Sequence, residues 1–344
     1  MRALPPTVSI APTLEEVAKL AGVSRATASR VFTLSPKVSP KAKRAVERAA
    51  QKLSYVPNRA ARTLVTGRTD SIGLVIPEPT AMLFGDPFFP RLVRGISEVL
   101  SRKQLQLVLL APQSAADEAR LEGYLSAGHV DGVLMVSFHG ADPLPERLQR
   151  RGMPVVLGGR PTRNGNVTYV DVDNVGGARM AVEHLVAIGR RRIATISGPR
   201  DMGAGVDRLE GYREAIRQAG LVTDDSYEAV GDFGQESGGV AMQQLLDRHP
   251  DLDAVFCASD VMASGALAVL RQNRRRVPHD VAVVGFDDST IATSTVPPLS
   301  SVRQPIEEMG REMARLLLDS GGSGGRRVIL ATELVVRASS GQGG

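Results

Sequence analysis

From residue 70 onward, short apolar runs rich in β-branched residues alternate with amphipathic stretches of helical length. SIGLVIP precedes FFPRLVRGISEVLSRK, LQLVLLA precedes DEARLEGYLSAG, and DGVLMVS follows. The rhythm resumes in PVVLGG, RRIATISG, DAVFCAS and VAVVGFDD. Strands separated by helices imply crossover connections, and therefore parallel sheets covered on both faces. Residues 70–344 are enough for two such doubly wound α/β subdomains. Ligands of these sheets bind in the crevice beyond the carboxyl ends of the strands, so the polar residues that follow the strand runs should converge on one interdomain cleft. Cys257 is the only cysteine, so no internal disulfide can form and a reducing cytoplasm is expected. Its setting, AVFCAS, predicts a buried strand thiol.

The first 68 residues have a different composition. They hold 13 Lys and Arg against three Glu, an excess of +10, while the remainder has 29 basic and 34 acidic residues, a balance of −5. A charge excess this concentrated points to a polyanionic partner, nucleic acid first among them. The opening MRALPPTVSIAPT has no apolar signal core, which predicts a chain that is not exported. No run approaches the ~20 apolar residues of a membrane span, so no membrane partner is expected.

In TLEEVAKLAGVSRATASRVF, Thr13 and Glu16 form a capping-box pattern that starts a helix, with Leu14, Val17, Ala18 and Ala21 on one face. Gly22 permits a sharp turn and Ser24 caps a second helix from Arg25 to about Phe32. A third helix is expected from Ser39 and Pro40 to about Leu53. This small all-α helix-turn-helix head would place its second helix in a major groove. Arg25, Ala26 and Arg30 are then the candidate base readers, since arginine suits bidentate contact to guanine and alanine offers a methyl surface. Ser24, Thr27, Ser29 and Lys37 are placed for phosphates, and Thr13 joins the same DNA-facing set. After Pro57, NRAARTLVTG predicts a short helix from Asn58 to about Thr66, too short to be stable without a packing partner. Its basic residues flank one large apolar one, the pattern of a minor-groove wedge, although an ordinary linker would also fit.

TLEEVAKLAGVSRATASRVF, VSPKAKRAVERAAQKLSYVPNRAARTL and TDSIGLVIPE resemble LacI/GalR-type transcription regulators in order and spacing. The resemblance continues through VDGVLMVS, DVDNVGGARMAVEHL, GRRRIATISGP, RLEGYREAI, DAVFCASDVMASGAL, VPHDVAVVGFDDS and PPLSSVRQP. It implies a homodimeric repressor that binds a near-palindromic DNA operator and answers to a small saccharide. It also implies a hinge helix that pairs with its dimer mate. Asn58, Arg59 and Ala61 would lie against DNA there, and Leu64 would enter the central base step. The expected organisation is a disordered arm at 1–12, the helix-turn-helix at 13–56, and the hinge at 57–69. Residues 70–172 with 304–323 would form one effector subdomain, and 173–303 with 324–340 the other, before a disordered tail at 341–344.

The resemblance also carries over effector positions one at a time. Arg208 in DRLEGY would hold the ligand; Ser259 and Asp260 in ASD would supply a contact and a hinge-tied neighbour. Asp287 in GFDD and Gln304 in SVRQP would hydrogen-bond the ligand, and Phe233 in GDF would stack on it. Arg160 belongs to the same set. Where many relatives have an aspartate just before it, this chain has Gly159, which removes one hydrogen bond and predicts a roomier pocket. The residues themselves add an aromatic cluster after the first strand run, Phe84, Phe88 and Phe89, with Ser137 and His139 nearby. Aromatic faces flanked by Arg, Asp and Gln suit a sugar, which has apolar ring faces and hydroxyl edges.

No G-x-G-x-x-G fingerprint or P-loop occurs, and the five histidines are scattered, so neither a cofactor nor catalysis is expected. Within the family, GGRP…VTYVDVDNVGG, GPRDM, GDF and ATELVVRASS look most like actinomycete members responsive to cellobiose and cello-oligosaccharides. Another glycoside such as maltose or xylobiose is the alternative effector. A sugar-binding transport protein is a weaker rival, opposed by the basic head. The closing VILATELVVRASSGQGG reads as one terminal strand and a tail, without the heptads of a coiled coil. A dimer should therefore be held by faces of the body, such as Arg91–Arg102 and Asp117–Ala127.

Overall fold

The computed structural model describes residues 12–32, 37–56, 67–140, 143–162, 165–221, 224–320 and 324–341. The expected hinge helix at 57–66, and most of the expected arm and tail, lie outside the described residues. The chain divides into two units, Met1–Thr69 and Asp70–Gly344.

In the first unit α1 (Leu14–Ala21), α2 (Arg25–Phe32) and α3 (Pro40–Lys52) surround a small core of Val17, Ala18, Ala28, Val31, Val46, Ala49 and Ala50. The capping box forms as its residues require. Glu16 N–H donates to Thr13 Oγ1 at 3.3 Å, and Thr13 N–H donates to Glu16 Oε2 at 2.7 Å. Gly22 ends α1 in the left-handed region at φ +66°, and Ser24 Oγ accepts from Thr27 N–H at 3.1 Å to start α2. Ser39 caps α3 through Ala42 N–H.

The second unit has two six-stranded sheets. The first contains β1 (Ser71–Val75), β2 (Gln106–Leu110), β3 (Gly132–Val136), β4 (Val155–Gly158), β5 (Thr168–Val172) and β11 (Arg327–Leu330), in the order β11-β5-β4-β3-β1-β2 and parallel throughout. Its faces are covered by α4 (Thr80–Gly85), α5 (Phe88–Arg102), α6 (Ala115–Ser126), α7 (Leu144–Arg150) and α13 (Ile306–Ser320). The second contains β6 (Ile193–Ser197), β7 (Glu228–Val230), β8 (Ala254–Cys257), β9 (Ala282–Asp287), β10 (Ser300–Arg303) and β12 (Glu333–Val335). Its order is β12-β10-β9-β8-β6-β7, with only β12 antiparallel. Here the covering helices are α8 (Asn174–Ala187), α9 (Gly203–Gln218), α10 (Gln235–Arg248) and α11 (Asp260–Gln272), with the short α12 (Thr290–Ser294). Both sheets share the 2-1-3-4-5 winding of doubly wound folds, which opens a crevice at the carboxyl strand ends.

The chain crosses between the sheets after Val172, after Arg303 and again between Leu330 and Glu333. The third crossing corrects the expected assignment of 324–340 to one subdomain and of VILATELVV to one strand. Arg327–Leu330 pairs with β5, while Glu333–Val335 turns back against β10. One short segment supplies both strands, with only Ala331 and Thr332 between them to mark the break. Cys257 is fully buried on β8, and burial pushes its thiol pKa up. Among the described residues, no helix is long and apolar enough to cross a membrane, and no group of acidic, His or Cys side chains could hold a metal ion.

Candidate functional site

The main cleft of the second unit lies between the strand ends of its two sheets and encloses roughly 750 Å³, counting its mouth. Several residues around it occupy the sparsely populated left-handed region: Ser137 just beyond β3 (φ +57°), Phe233 beyond β7 (φ +69°) and Asp287 at the end of β9 (φ +110°). Such strain at three strand ends is held by the surrounding fold and turns each side chain toward the crevice.

Arg208, on α9, is 5% exposed and occupies the centre of a polar network. Its Nε donates to Asn174 Oδ1 at 2.8 Å, and its Nη1 donates to Ala258 O at 2.6 Å and lies 3.6 Å from Asp287 Oδ1. The guanidinium stacks 3.7 Å from the Phe286 ring centre and 5.8 Å from that of Phe233. Planar and weakly hydrated, a guanidinium tolerates this burial better than an ammonium would. Asn174 continues the network by donating to Asp171 Oδ1 at 2.9 Å, and Asp171 also accepts from the Arg160 N–H at 2.8 Å. On the other side Gln304 Nε2 donates to Asp287 Oδ1 at 2.5 Å.

Burial raises the carboxyl pKa values of Asp86, Asp171 and Asp287, and the Arg208 cation opposes the rise at each. Burial also lowers the Arg208 pKa, against the pull of Asp287 and its neighbours. The result is a dry, preorganised set of donors and acceptors beside the Phe88 and Phe233 rings. Such a surface can bind a neutral polyhydroxylated molecule by its hydroxyl edges and ring faces.

The comparisons with known proteins fit this geometry. Residues 13–58 match the model for bacterial regulatory proteins of the lacI family, and residues 182–340 match a periplasmic binding protein-like domain. The HTH-type transcriptional regulator CelR of Thermobifida fusca is 54% identical over 333 residues, covering 95% of this chain and 98% of that one. The chain belongs to the lacI family of bacterial regulators. A solved transcriptional regulator CelR-cellobiose complex superposes on this family member with a TM-score of 0.77 at 52% identity, covering 95% of this chain and 99% of that one. The lac repressor dimer bound to operator and the anti-inducer ONPF aligns with a TM-score of 0.83 at 26% identity, covering 96% and 99% of the two chains.

Of the expected effector positions of this LacI-family chain, Phe88, Ser137, Arg160, Arg208, Phe233, Ser259, Asp287 and Gln304 line the cleft. Two do not. Phe84 is 71% exposed on α4 and points away, because Phe88 and Phe89 fill the space nearer the strand ends. Asp260 is fully buried behind the site, accepting from Ser301 Oγ at 2.6 Å and Ser289 N–H at 2.7 Å. Burial holds its pKa at about 7, and its part is to brace the β9–β10 ends. Arg160 borders the cleft, but its guanidinium is committed to Asp207. Gly159 has φ +103° and open space where a Cβ would stand, so the absent side chain does leave room. Asp86 and Asp171 were not anticipated. Asp171 ends a fully buried strand whose TYVDV pattern has no alternation to betray it, and Asp86 was overshadowed by the phenylalanines around it.

In the head, Arg25, Ala26, Arg30 and Lys37 are exposed, with Thr27 and Ser29 partly so. Arg25 Nε meets Glu15 Oε1 at 2.8 Å across α1 and α2, a solvated pair that DNA could displace at little cost. The hydroxyls of Thr13 and Ser24 serve as helix caps. Asn58, Arg59, Ala61 and Leu64 lie outside the described residues.

Proposed function

We propose that this regulator is a cytoplasmic homodimeric repressor of carbohydrate-utilisation genes, released from its operator by cellobiose or a short cello-oligosaccharide. The observation that carries this reading is the cleft itself. Arg208, Asp287, Gln304 and Asp171 present hydrogen-bonding groups beside the faces of Phe88 and Phe233, in a space within the usual size range of small-molecule sites. The likeness to a regulator solved with cellobiose supports the choice of sugar. Two heads would read the half-sites of a near-palindrome through Arg25, Ala26 and Arg30, with Leu64 from each chain kinking the centre. Sugar would act by preferring one relative arrangement of the two subdomains, because only differential affinity shifts such an equilibrium.

The test is release of a fluorescent operator, selected in vitro, by cellobiose, cellotriose, maltose and xylobiose in turn. Release at micromolar to millimolar cellobiose, with maltose inert, is the expected result. Release by maltose or xylobiose alone would reassign the effector. In the same assay Leu64→Ala should reduce DNA bending and leave sugar affinity intact; unchanged bending would remove Leu64 from the wedge role.

A further inference from the structure

Both subdomains also meet along the first turns of α9, beside the network around Arg208. Arg160, two residues beyond β4 of the first sheet, forms a bidentate pair with Asp207 of the second subdomain, Nε to Oδ2 at 2.9 Å and Nη2 to Oδ1 at 2.6 Å. The first turn of α9 is pressed onto the same residue, since a Cβ at Gly203 would lie 2.2 Å from the Arg160 carbonyl oxygen. A second connection lies before the helix. Asp201 accepts from the Gly140 N–H at 2.9 Å through its carbonyl, and its carboxylate meets His139 Nδ1 at 3.0 Å. The other ring nitrogen of His139 faces Glu78 Oε1 at 3.3 Å, and Glu78 is buried and accepts from Ser137 Oγ at 2.5 Å. Glu78 and Asp201 are the charged groups facing His139 from the elements packed on it.

We propose that Arg160–Asp207 and His139–Asp201 form a two-point clasp across the cleft, and that it governs how long the effector stays bound rather than which effector is chosen. This inference rests on the saccharide-site reading above. Arg160 and Gly203 line the cleft, but Asp201, Asp207 and His139 do not, so these three hold the arrangement of the subdomains without touching a ligand and Asp207 is the cleaner probe. A bidentate guanidinium–carboxylate pair is stronger and more directional than an ordinary surface pair, and Asp207 is only 17% exposed in its side chain. Gly203 adds shape to charge, because any side chain there must push α9 away from Arg160. A contact made only in the clasped arrangement stabilises that arrangement, and whatever is bound inside it, by its own free energy.

The test uses the full chain with cellobiose as the probe. Asp207→Asn should raise the dissociation rate about tenfold, the effect of losing a contact worth ~1.4 kcal/mol, and operator binding without sugar should be no weaker than in the parent chain. Asp207→Glu should restore most of the residence time, and Gly203→Ala should shorten it while leaving every charge in place. Amide hydrogen exchange without sugar provides a second readout. Segments 138–140 and 201–207 should exchange faster in Asp207→Asn and Gly203→Ala than in the parent chain. If both variants match the parent in exchange and in dissociation rate, the clasp is refuted. If the parent binds no cellobiose, the effector assignment fails, and the exchange comparison alone decides the clasp.

Discussion

Arg208 stands among Asp86, Asp171, Asp260 and Asp287, all close enough to be felt by its charge. Arg208→Ala therefore leaves buried carboxylates without their cation, a loss of ~3–5 kcal/mol for a broken buried pair. A lower urea midpoint and loss of sugar binding are both expected. Asp287→Asn is the gentler probe: it keeps the shape and the Gln304 contact, and should weaken sugar binding by ~1–3 kcal/mol. Calorimetry should record that loss, while anisotropy shows a protein that still holds operator but no longer lets go. His139 yields a pH prediction. Its pKa rises from an ordinary 6.5 to about 9, first through the bond to Glu78 and then through Asp201, against the opposing effect of burial. A raised folded-state value means the stabilisation is complete below about pH 6.5 and is lost as pH climbs through 9. The melting-temperature gap between the parent and His139→Gln should shrink over that interval; a constant gap would remove the titration from the account. The family resemblance pointed to Arg208, Asp287 and Gln304, which line the cleft. It could not reveal that the Arg160 side chain is committed to Asp207, because that pairing joins residues 47 positions apart in different subdomains.

The helical elements were the most legible, since their ends carry chemistry. Thr13 with Glu16, Gly22, Ser24 and Ser39 with Pro40 each satisfy otherwise orphaned backbone groups, and α1 to α3 begin and end accordingly. Thr13→Ala should cost about 1 kcal/mol, the usual price of a lost N-cap. Thermal denaturation of the isolated head would register it, and an unchanged midpoint would mean that tertiary packing alone holds α1. Strands were legible where an apolar run stood between helices. β5, β7 and β10 were not singled out, because TYVDV and SSVR mix polar residues into the run and EAV is only a short piece of strand. The division of VILATELVV into β11 and β12 is a choice made by two different sheets, each lacking an edge, and local propensity is the same for either.

At the scale of the whole molecule, the +10 excess of residues 1–68 dictates how binding responds to salt. Each phosphate neutralised releases a counterion, so affinity for operator should fall steeply and linearly on logarithmic axes as salt rises, while a chain beginning at Asp70 should not bind. Light scattering at micromolar concentration should give about twice the 36.6 kDa chain mass; a species at four times that mass would require a further interface. The third crossing has a consequence for biosynthesis. Because β11 completes the first sheet and β12 the second, one half of the sensor cannot be finished until Leu330 has been made and the other until Val335. A chain interrupted anywhere between the head and β11 leaves both sheets with a raw edge, the state most open to proteolysis and to pairing with other strands. Among the described residues, the core of the head draws on Leu14 to Tyr55, all of which are made long before. Synthesis therefore passes through an interval in which the residues of the head are complete while the body they are joined to cannot yet form its cleft.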